Sequence, residues 1–376
     1  MGTTKRLALS STDTTRSDDT TIWNHFAPAT HGMLLLDVTF ENNCIINAEP
    51  ILGSMHRGAE KLFESRDYRQ ILGLANRHEW LSAFSGEVGV ASLIERELGL
   101  DVPTSAKWLR TLLLEVFRIT SHLAFLAGYP WHAPEISAQI RQSRESLVLH
   151  IRSYTGSRMH PMLTQIGGLT HAPTTSWLLE LAELTKLVAT QLQSMNELMV
   201  MELANTTNVG VLSADAVNRF AISGPVARAS GVAIDCRTST PHFMYSQLST
   251  FKSVTQTTGD IPARMQQLCD EIAISSKMVT EITTESGKHI TTDVNVLIPK
   301  VLRVPEGEFS FRLETPLGMA SWLLISKGDK YPYRLALRPA SLHTVLALGT
   351  VLCGHTESDI PKIVASMPFI TGDADR

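Results

Sequence analysis

The spacing of apolar residues changes along the chain, and the change divides it into parts. Met33 to Phe40 is an apolar run tolerant of β structure, Glu41-Asn42-Asn43 favours a turn, and Cys44 to Ala48 is a second short run. Together they predict a β hairpin. After Pro50 apolar positions recur every three to four residues for most of the chain, the period of helices that bury one face. The broadest such face carries Trp108, Leu112, Val116, Ile119, Leu123 and Leu126, in a segment opened by Pro103-Thr104, and it predicts a central helix. Further helices are expected from Glu135 to Tyr154, ended by Gly156; from Thr175 to Leu203, where a Thr/Ser cluster can cap; and from Asp260, with Pro262 in the first turn. Val209 to Tyr245, rich in Gly, Ser and Pro, reads as a structured connection. Near the end, Trp322 to Ser326 and Tyr333 to Leu337 flank Lys327-Gly328-Asp329-Lys330, a second hairpin. A last helix is expected from Ser341, whose hydroxyl can cap it, to Gly354.

The fold class expected is mainly α with small β elements (α+β). One domain is expected over residues 22–376: a β part at 22–50, a helical core at 51–300, and a C-terminal hairpin and helix at 301–376. Residues 1–21, a Ser/Thr/Asp-rich stretch, read as a disordered tail without a secretory apolar region.

Composition narrows the function. The 376 residues are 43% hydrophobic and 19% charged, fewer charges than the roughly 25% of an average soluble domain, which suits a surface covered by a partner. A formal charge of −4 offers no polybasic field for nucleic acid. Cys44, Cys236, Cys269 and Cys353 are scattered, so a disulfide framework, a structural zinc or a protein-held iron–sulfur cluster lacks its usual spacing. No GxGxxG after a strand, GxxxxGK[ST], HExxH or GxSxG occurs. The most hydrophobic helix carries Arg110, Glu115, Arg118 and His122, so no charge-free run long enough to span a membrane is present.

Several polar groups stand out. In Thr30-His31-Gly32, His31 occupies a loop before the first strand of the hairpin, where an imidazole can titrate near neutral pH and act as a general acid. His56-Arg57-Gly58-Ala59-Glu60-Lys61 places a permanent positive charge at a helix start, either near an anionic group or in an ion pair with Glu60 or Glu64. Asn76-Arg77-His78-Glu79-Trp80 packs charges and an aromatic together. Arg158-Met159-His160-Pro161 and Arg228-Ala229-Ser230-Gly231 join basic residues to flexible backbone, which suits polar lining or subunit contact, or else a purely structural role.

In their order these segments, with Tyr68-Arg69-Gln70, Leu98 to Pro103, Arg110 through Leu123, Gly167-Gly168, Pro332-Tyr333-Arg334 and Gly372-Asp373-Ala374-Asp375-Arg376, give the chain a resemblance. It resembles the hydrogenase-like D subunit of respiratory complex I, the relative of the nickel–iron hydrogenase large subunit. The resemblance implies that hydrogenase-like fold and a place in a membrane-associated, proton-translocating NADH:quinone oxidoreductase. A protein of this kind sits peripherally on the cytoplasmic side, beside an iron–sulfur subunit carrying a 4Fe-4S cluster, a membrane-embedded quinone-channel subunit and other peripheral-arm subunits. It holds no cofactor itself; quinone is the substrate. By the same resemblance His31 is the quinone's hydrogen-bond partner and proton donor, Thr30, Gly32 and Trp80 border the headgroup, and Arg57 with His56 lies near the cluster.

The chain also departs from the family pattern. Trp80 stands where the family has a tyrosine, so that position lacks a phenolic proton. The aspartate that partners the loop histidine has no clear counterpart, and His132 or Glu135 is the expected substitute. Met319, Leu163 and Gln165 replace polar residues. No CxxC supplies the four thiolates that would hold nickel and iron. The alternative is a non-catalytic diverged paralogue, a scaffold in a related membrane-bound redox complex.

Overall fold

The computed structural model describes residues 3–9, 20–23, 31–239, 242–284 and 289–376. Four strands, β1 (Thr3–Leu9), β2 (Thr20–Trp23), β3 (Leu34–Glu41) and β4 (Cys44–Ile51), form one sheet in the order β2-β1-β3-β4. The expected hairpin is β3–β4, closed by Asn42 and Asn43, both with positive φ (50° and 63°), as a two-residue primed turn requires. The tail expectation is corrected in part: residues 3–9 are a strand antiparallel to β3, with Leu7, Ala8 and Leu9 buried and Arg6 paired to Asp37 at 2.6 Å. Alternation is weak there, so tertiary pairing rather than local propensity makes the strand. Residues 10–19 of that tail, and Thr30, lie outside the described residues.

Two short helices, α1 (Ala59–Phe63) and α2 (Leu72–Ala75), lead into α3 (Ala83–Glu97), the central α4 (Thr104–Gly128) and α5 (Pro134–Thr155). As expected, Pro103 precedes α4, and Gly156 (φ 76°) ends α5 in the left-handed cap conformation. The strand pair β5 (Thr164–Gln165) and β6 (Gly168–Leu169) follows. The long helix expected to Leu203 is two, α6 (Thr175–Ser194) and α7 (Asn196–Leu203), separated at Met195; Thr174 caps the first by accepting the Trp177 N–H at 3.2 Å. The connecting region holds α8 (Ala214–Phe220) and α9 (Gly224–Ala229), and α10 (Ile261–Thr284) packs along α4 and α6.

The second hairpin is part of a three-stranded antiparallel sheet, β7 (Gly307–Thr315), β8 (Gly318–Ser326) and β9 (Arg334–Arg338). The C-terminal part continues as α11 (Ala340–Leu346), α12 (Leu348–Leu352), α13 (Ile360–Ala365) and α14 (Thr371–Ala374), so the single helix expected there is broken at Ala347. The Ser341 hydroxyl does not cap; it accepts the Ile370 N–H at 3.2 Å.

One apolar core runs from Leu7 to Ala374, and α4 is buried on almost every face. Its most apolar window is 89% enclosed by protein, so the length and apolarity of α4 serve the core. The charged residues buried on α4 are engaged inside. Arg110 makes two 2.7 Å bonds to Glu95, His122 lies 2.9 Å from Glu271, and Glu115 accepts from Tyr245 and Ser275. Arg228 of α9 joins this network, donating to Glu271 at 2.8 Å and Glu314 at 2.7 Å. Its role is structural: it ties α9, α10 and β7 together.

Candidate functional site

His31 begins the described segment that leads into β3, in a left-handed backbone conformation (φ 46°), and Gly32 follows at φ 153°. The chain passes so tightly here that a Cβ on Gly32 would sit 2.4 Å from Met55 Sδ and 3.2 Å from Thr371 Cβ. Met55 Sδ accepts the Met33 N–H at 3.3 Å. The neighbouring loop is therefore part of the His31 environment.

Two elements bring rings to the His31 imidazole, and a third supplies a charge that acts on it. Phe125, in α4, meets it edge-on at 4.7 Å between centroids, and Trp80, in the tight turn Trp80–Ser82, meets it edge-on at 5.5 Å. Arg144, on α5, supplies the nearby charge. Nε2 of His31 is buried without a hydrogen-bond partner among the described residues. Burial first, and Arg144 second, push the imidazole down to about 3, so it is neutral at neutral pH. A ring in this state is a hydrogen-bond donor and a proton acceptor, not a stored acid.

The expected partners lie elsewhere. His132 and Glu135 are exposed, and the His132 amide donates to Glu202 at 2.7 Å. Glu135 precedes Arg144 by nine residues on α5, about 13 Å along the axis. Neither is bonded to His31. Phe125 in the last turn of α4 and Arg144 in the middle of α5 act on His31 through a ring contact and a charge, and neither carries a motif that sequence reasoning could find.

Trp80 is held by the structure before it. Its N–H donates to the His78 carbonyl at 2.9 Å. His78 is buried beside Phe63, and burial first, then Arg57 and Arg376, push it down to about 4. Arg57 and His56 are exposed: Arg57 Nη2 donates to the Arg77 carbonyl at 3.0 Å, and His56 Nδ1 lies 2.8 Å from the Asp375 carbonyl. His160 is also lowered, by burial first and then by Arg77 and Arg57. Arg57, Arg77 and Arg376 thus converge around His78 and His160. Glu60 and Glu64, the two alternative partners expected for Arg57, both pair with Arg334 of β9 instead.

Asp375 locks the Arg57 loop in place. Its carboxylate accepts the Gly53 N–H at 2.8 Å and the Met55 N–H at 2.7 Å. Just before Trp80 in the chain, Asn76 donates to Glu87 at 2.8 Å, and Glu87 accepts the Met162 N–H at 2.9 Å and the Thr164 N–H at 3.1 Å. Burial raises the Glu87 carboxyl. Leu163, between these anchors, is core, and Gln165 spends its amide on the Leu169 carbonyl at 3.2 Å.

Among the described residues no group of three His, Cys, Asp or Glu side chains converges as a metal site would. Burial pushes the Cys236 thiol up to about 11 and Cys269 to about 12, so both stay protonated. A groove of about 740 Å³ between α6 and α10 is lined by residues such as Lys186, Thr190, Asp270 and Lys277, none of them from the His31 environment.

The family model of the respiratory-chain NADH dehydrogenase 49 Kd subunit matches residues 136–301 and 288–376. The first D subunit of NADH-quinone oxidoreductase in Streptomyces coelicolor is 42% identical over 355 residues, covering 93% of either chain. The second D subunits of Streptomyces griseus and of Salinispora arenicola are each 41% identical, covering 93% of this chain and 90% and 91% of their own. With identity of this extent spread across nearly the whole chain, the protein belongs to the family of the 49 Kd subunit of respiratory-chain NADH dehydrogenase.

Proposed function

We propose that this chain is the quinone-chamber subunit of a membrane-associated, proton-translocating NADH:quinone oxidoreductase. In this reading it adopts the hydrogenase large-subunit fold and lies peripherally on the cytoplasmic side of the membrane. It packs against an iron–sulfur subunit carrying a 4Fe-4S cluster, a membrane-embedded quinone-channel subunit and other peripheral-arm subunits. NADH is oxidised on other subunits, and this chain holds no cofactor.

The observation that carries the reading is the His31 imidazole, with a buried nitrogen unspent on protein and two aromatic rings around it. A quinone headgroup is flat, apolar on its faces and polar at two oxygens, so it suits an aromatic wall with a hydrogen-bonding group. Trp80 bounds the ring, and neutral His31 hydrogen-bonds one oxygen. As electrons charge that oxygen, attraction to the new anion raises the proton affinity of His31, which then stabilises the product side. Arg57, with Arg77 and Arg376, provides the positive field that favours a reduced cluster on the neighbouring subunit.

The test is His31→Ala in the intact complex, measuring NADH:quinone reduction beside NADH oxidation by an artificial acceptor reduced upstream of the quinone. Quinone reduction should fall about 10²- to 10³-fold, with the upstream rate and the subunit composition retained. Undiminished quinone reduction refutes the role. The scaffold reading draws support from the absence of a carboxylate partner for His31 among the described residues; it predicts that unchanged rate.

A further inference from the structure

No carboxylate bonds the His31 ring among the described residues, so packing sets its orientation. The main chain is fixed first. With φ at 46° for His31 and 153° for Gly32, the turn fits close against Met55 and Thr371, and the Met33 N–H donates to Met55 Sδ at 3.3 Å. That leaves rotation of the imidazole about its side-chain bonds. Two rings stand nearly perpendicular to it: Phe125 at 4.7 Å between centroids (86°) and Trp80 at 5.5 Å (78°). They differ in setting. Phe125 is 1% exposed and belongs to the core, whereas Trp80 is half-buried in a turn of three residues. Phe125 is the closer and the firmer wall.

The turn of α4 that carries Phe125 is itself fastened. The last carbonyls of a helix lack partners within it. Here the Trp131 indole N–H donates to the Leu126 carbonyl at 2.7 Å, and the Ser137 hydroxyl of α5 to the Ala127 carbonyl at 3.1 Å. Farther back along α4, Arg144 Nε donates to the Thr120 carbonyl at 3.2 Å, and His122 lies 2.9 Å from Glu271 of α10. The helix is thus held on both sides of Phe125 along the chain. The Thr120 bond also sets Arg144, the cation that acts on His31, against α4. A ring locked in this way presents a fixed face, and a rigid element holds geometry that a loop alone does not.

We propose that Phe125 is the positioning residue for His31: its ring fixes the orientation of the imidazole and keeps water from its inner edge, in place of the polar partner expected at His132 or Glu135. The proposal rests on the quinone reading above and deepens it. Phe125 acts through His31 rather than on the substrate, and it moves no proton. A carboxylate would orient the ring and favour its charged form. An aromatic wall orients it and leaves it neutral, the state in which it hydrogen-bonds a quinone oxygen. Burial is the first cause of the lowered imidazole, and Phe125 is part of what buries it.

The experiment uses the purified complex carrying wild type, Phe125→Leu or, as a control, Phe117→Leu. Phe117 is also a buried ring of α4, 4% exposed, but it stacks on Phe84, so its loss disturbs the same helix at another contact. Exchange of the His31 imidazole C2–H, read by mass spectrometry against pH, gives the protonation midpoint of that ring. Steady-state quinone reduction gives kcat and KM. In Phe125→Leu the midpoint should rise toward 6.5 by ~1 unit or more as water reaches the ring. Its kcat should fall about tenfold or more, with KM held within about threefold and the upstream NADH oxidation rate retained. Phe117→Leu should leave the midpoint and kcat as in wild type. An unmoved midpoint in Phe125→Leu overturns the proposal, as does a Phe117→Leu that shifts midpoint and kcat equally, because a purely structural role does that. A wild-type midpoint at the ordinary 6.5 overturns the enclosure whether or not either variant assembles. Failure of the quinone reading itself is separate: His31→Ala would then leave quinone reduction intact while the midpoint still moves in Phe125→Leu.

Discussion

Replacing Asp375 by Ala should loosen the loop that carries Met55 and Arg57 without unfolding the protein. Its carboxylate accepts two backbone N–H groups, from Gly53 at 2.8 Å and Met55 at 2.7 Å. A hydrogen bond to a charged acceptor contributes about 1.5–3 kcal/mol when its loss leaves the donor unpaired. Gly53 is exposed, so water replaces part of the loss, and about 3 kcal/mol for the two bonds is the appropriate end of the range. That is about a hundredfold in the local opening equilibrium. The effect should reach His31, because Met55 packs on Gly32 and accepts the Met33 N–H. Hydrogen exchange of the intact complex, read by mass spectrometry on peptides spanning residues 52–58 and 31–36, measures it. Asp375→Asn, which retains one carbonyl acceptor, should give an intermediate effect. Amides of Gly53 and Met55 that exchange within about tenfold of wild type in Asp375→Ala would show that the loop is held by something else.

Three further outcomes follow from the same geometry. Arg228→Met leaves Glu271 and Glu314 as buried charges, and should cost about 3–5 kcal/mol, seen as a lowered melting temperature of the complex; adding Glu271→Gln should restore part of it. Gly86→Ala places a Cβ 2.3 Å from the Ala75 carbonyl oxygen, forces α3 away from α2, and should cost about 1–3 kcal/mol in denaturant unfolding, whereas an unchanged midpoint would refute the close approach. His31 has a folded pKa of about 3 against an ordinary 6.5, so the folded state binds fewer protons between those values. Stability conferred by the neutral ring is complete above 6.5 and is lost as pH falls toward 3; His31→Gln should flatten that part of a stability-against-pH curve.

What the sequence makes legible is local. The period of α4, the Asn42-Asn43 turn and the Gly156 cap depend on neighbours in the chain, and the structure has them where the pattern places them. What it conceals is tertiary. Strand β1 exists because Arg6 meets Asp37 and three apolar residues meet the core. The break at Met195 carries no Gly or Pro to announce it. Strand β7 alternates as Glu308-Phe309-Ser310-Phe311-Arg312-Leu313, a period-two signal that the two-hairpin reading leaves out. At the site, His31 and Trp80 stand out from their settings, and the structure brings their rings together. The partner of His31 is expected at His132 or Glu135, whereas the ring beside it comes from the last turn of α4 and the charge that acts on it from the middle of α5. The burial of the charged side chains Glu79 and Asp373 likewise has no signal in the local sequence.

The central claim is that the His31 and Trp80 rings border the quinone headgroup. Photolabelling of the intact complex with a quinone analogue bearing a photoreactive group on its ring, followed by peptide mapping, tests it most directly. The account predicts label on the segments around His31 and Trp80, reduced by excess unmodified quinone. Label confined to other subunits, or to segments of this chain away from those two rings, would contradict it.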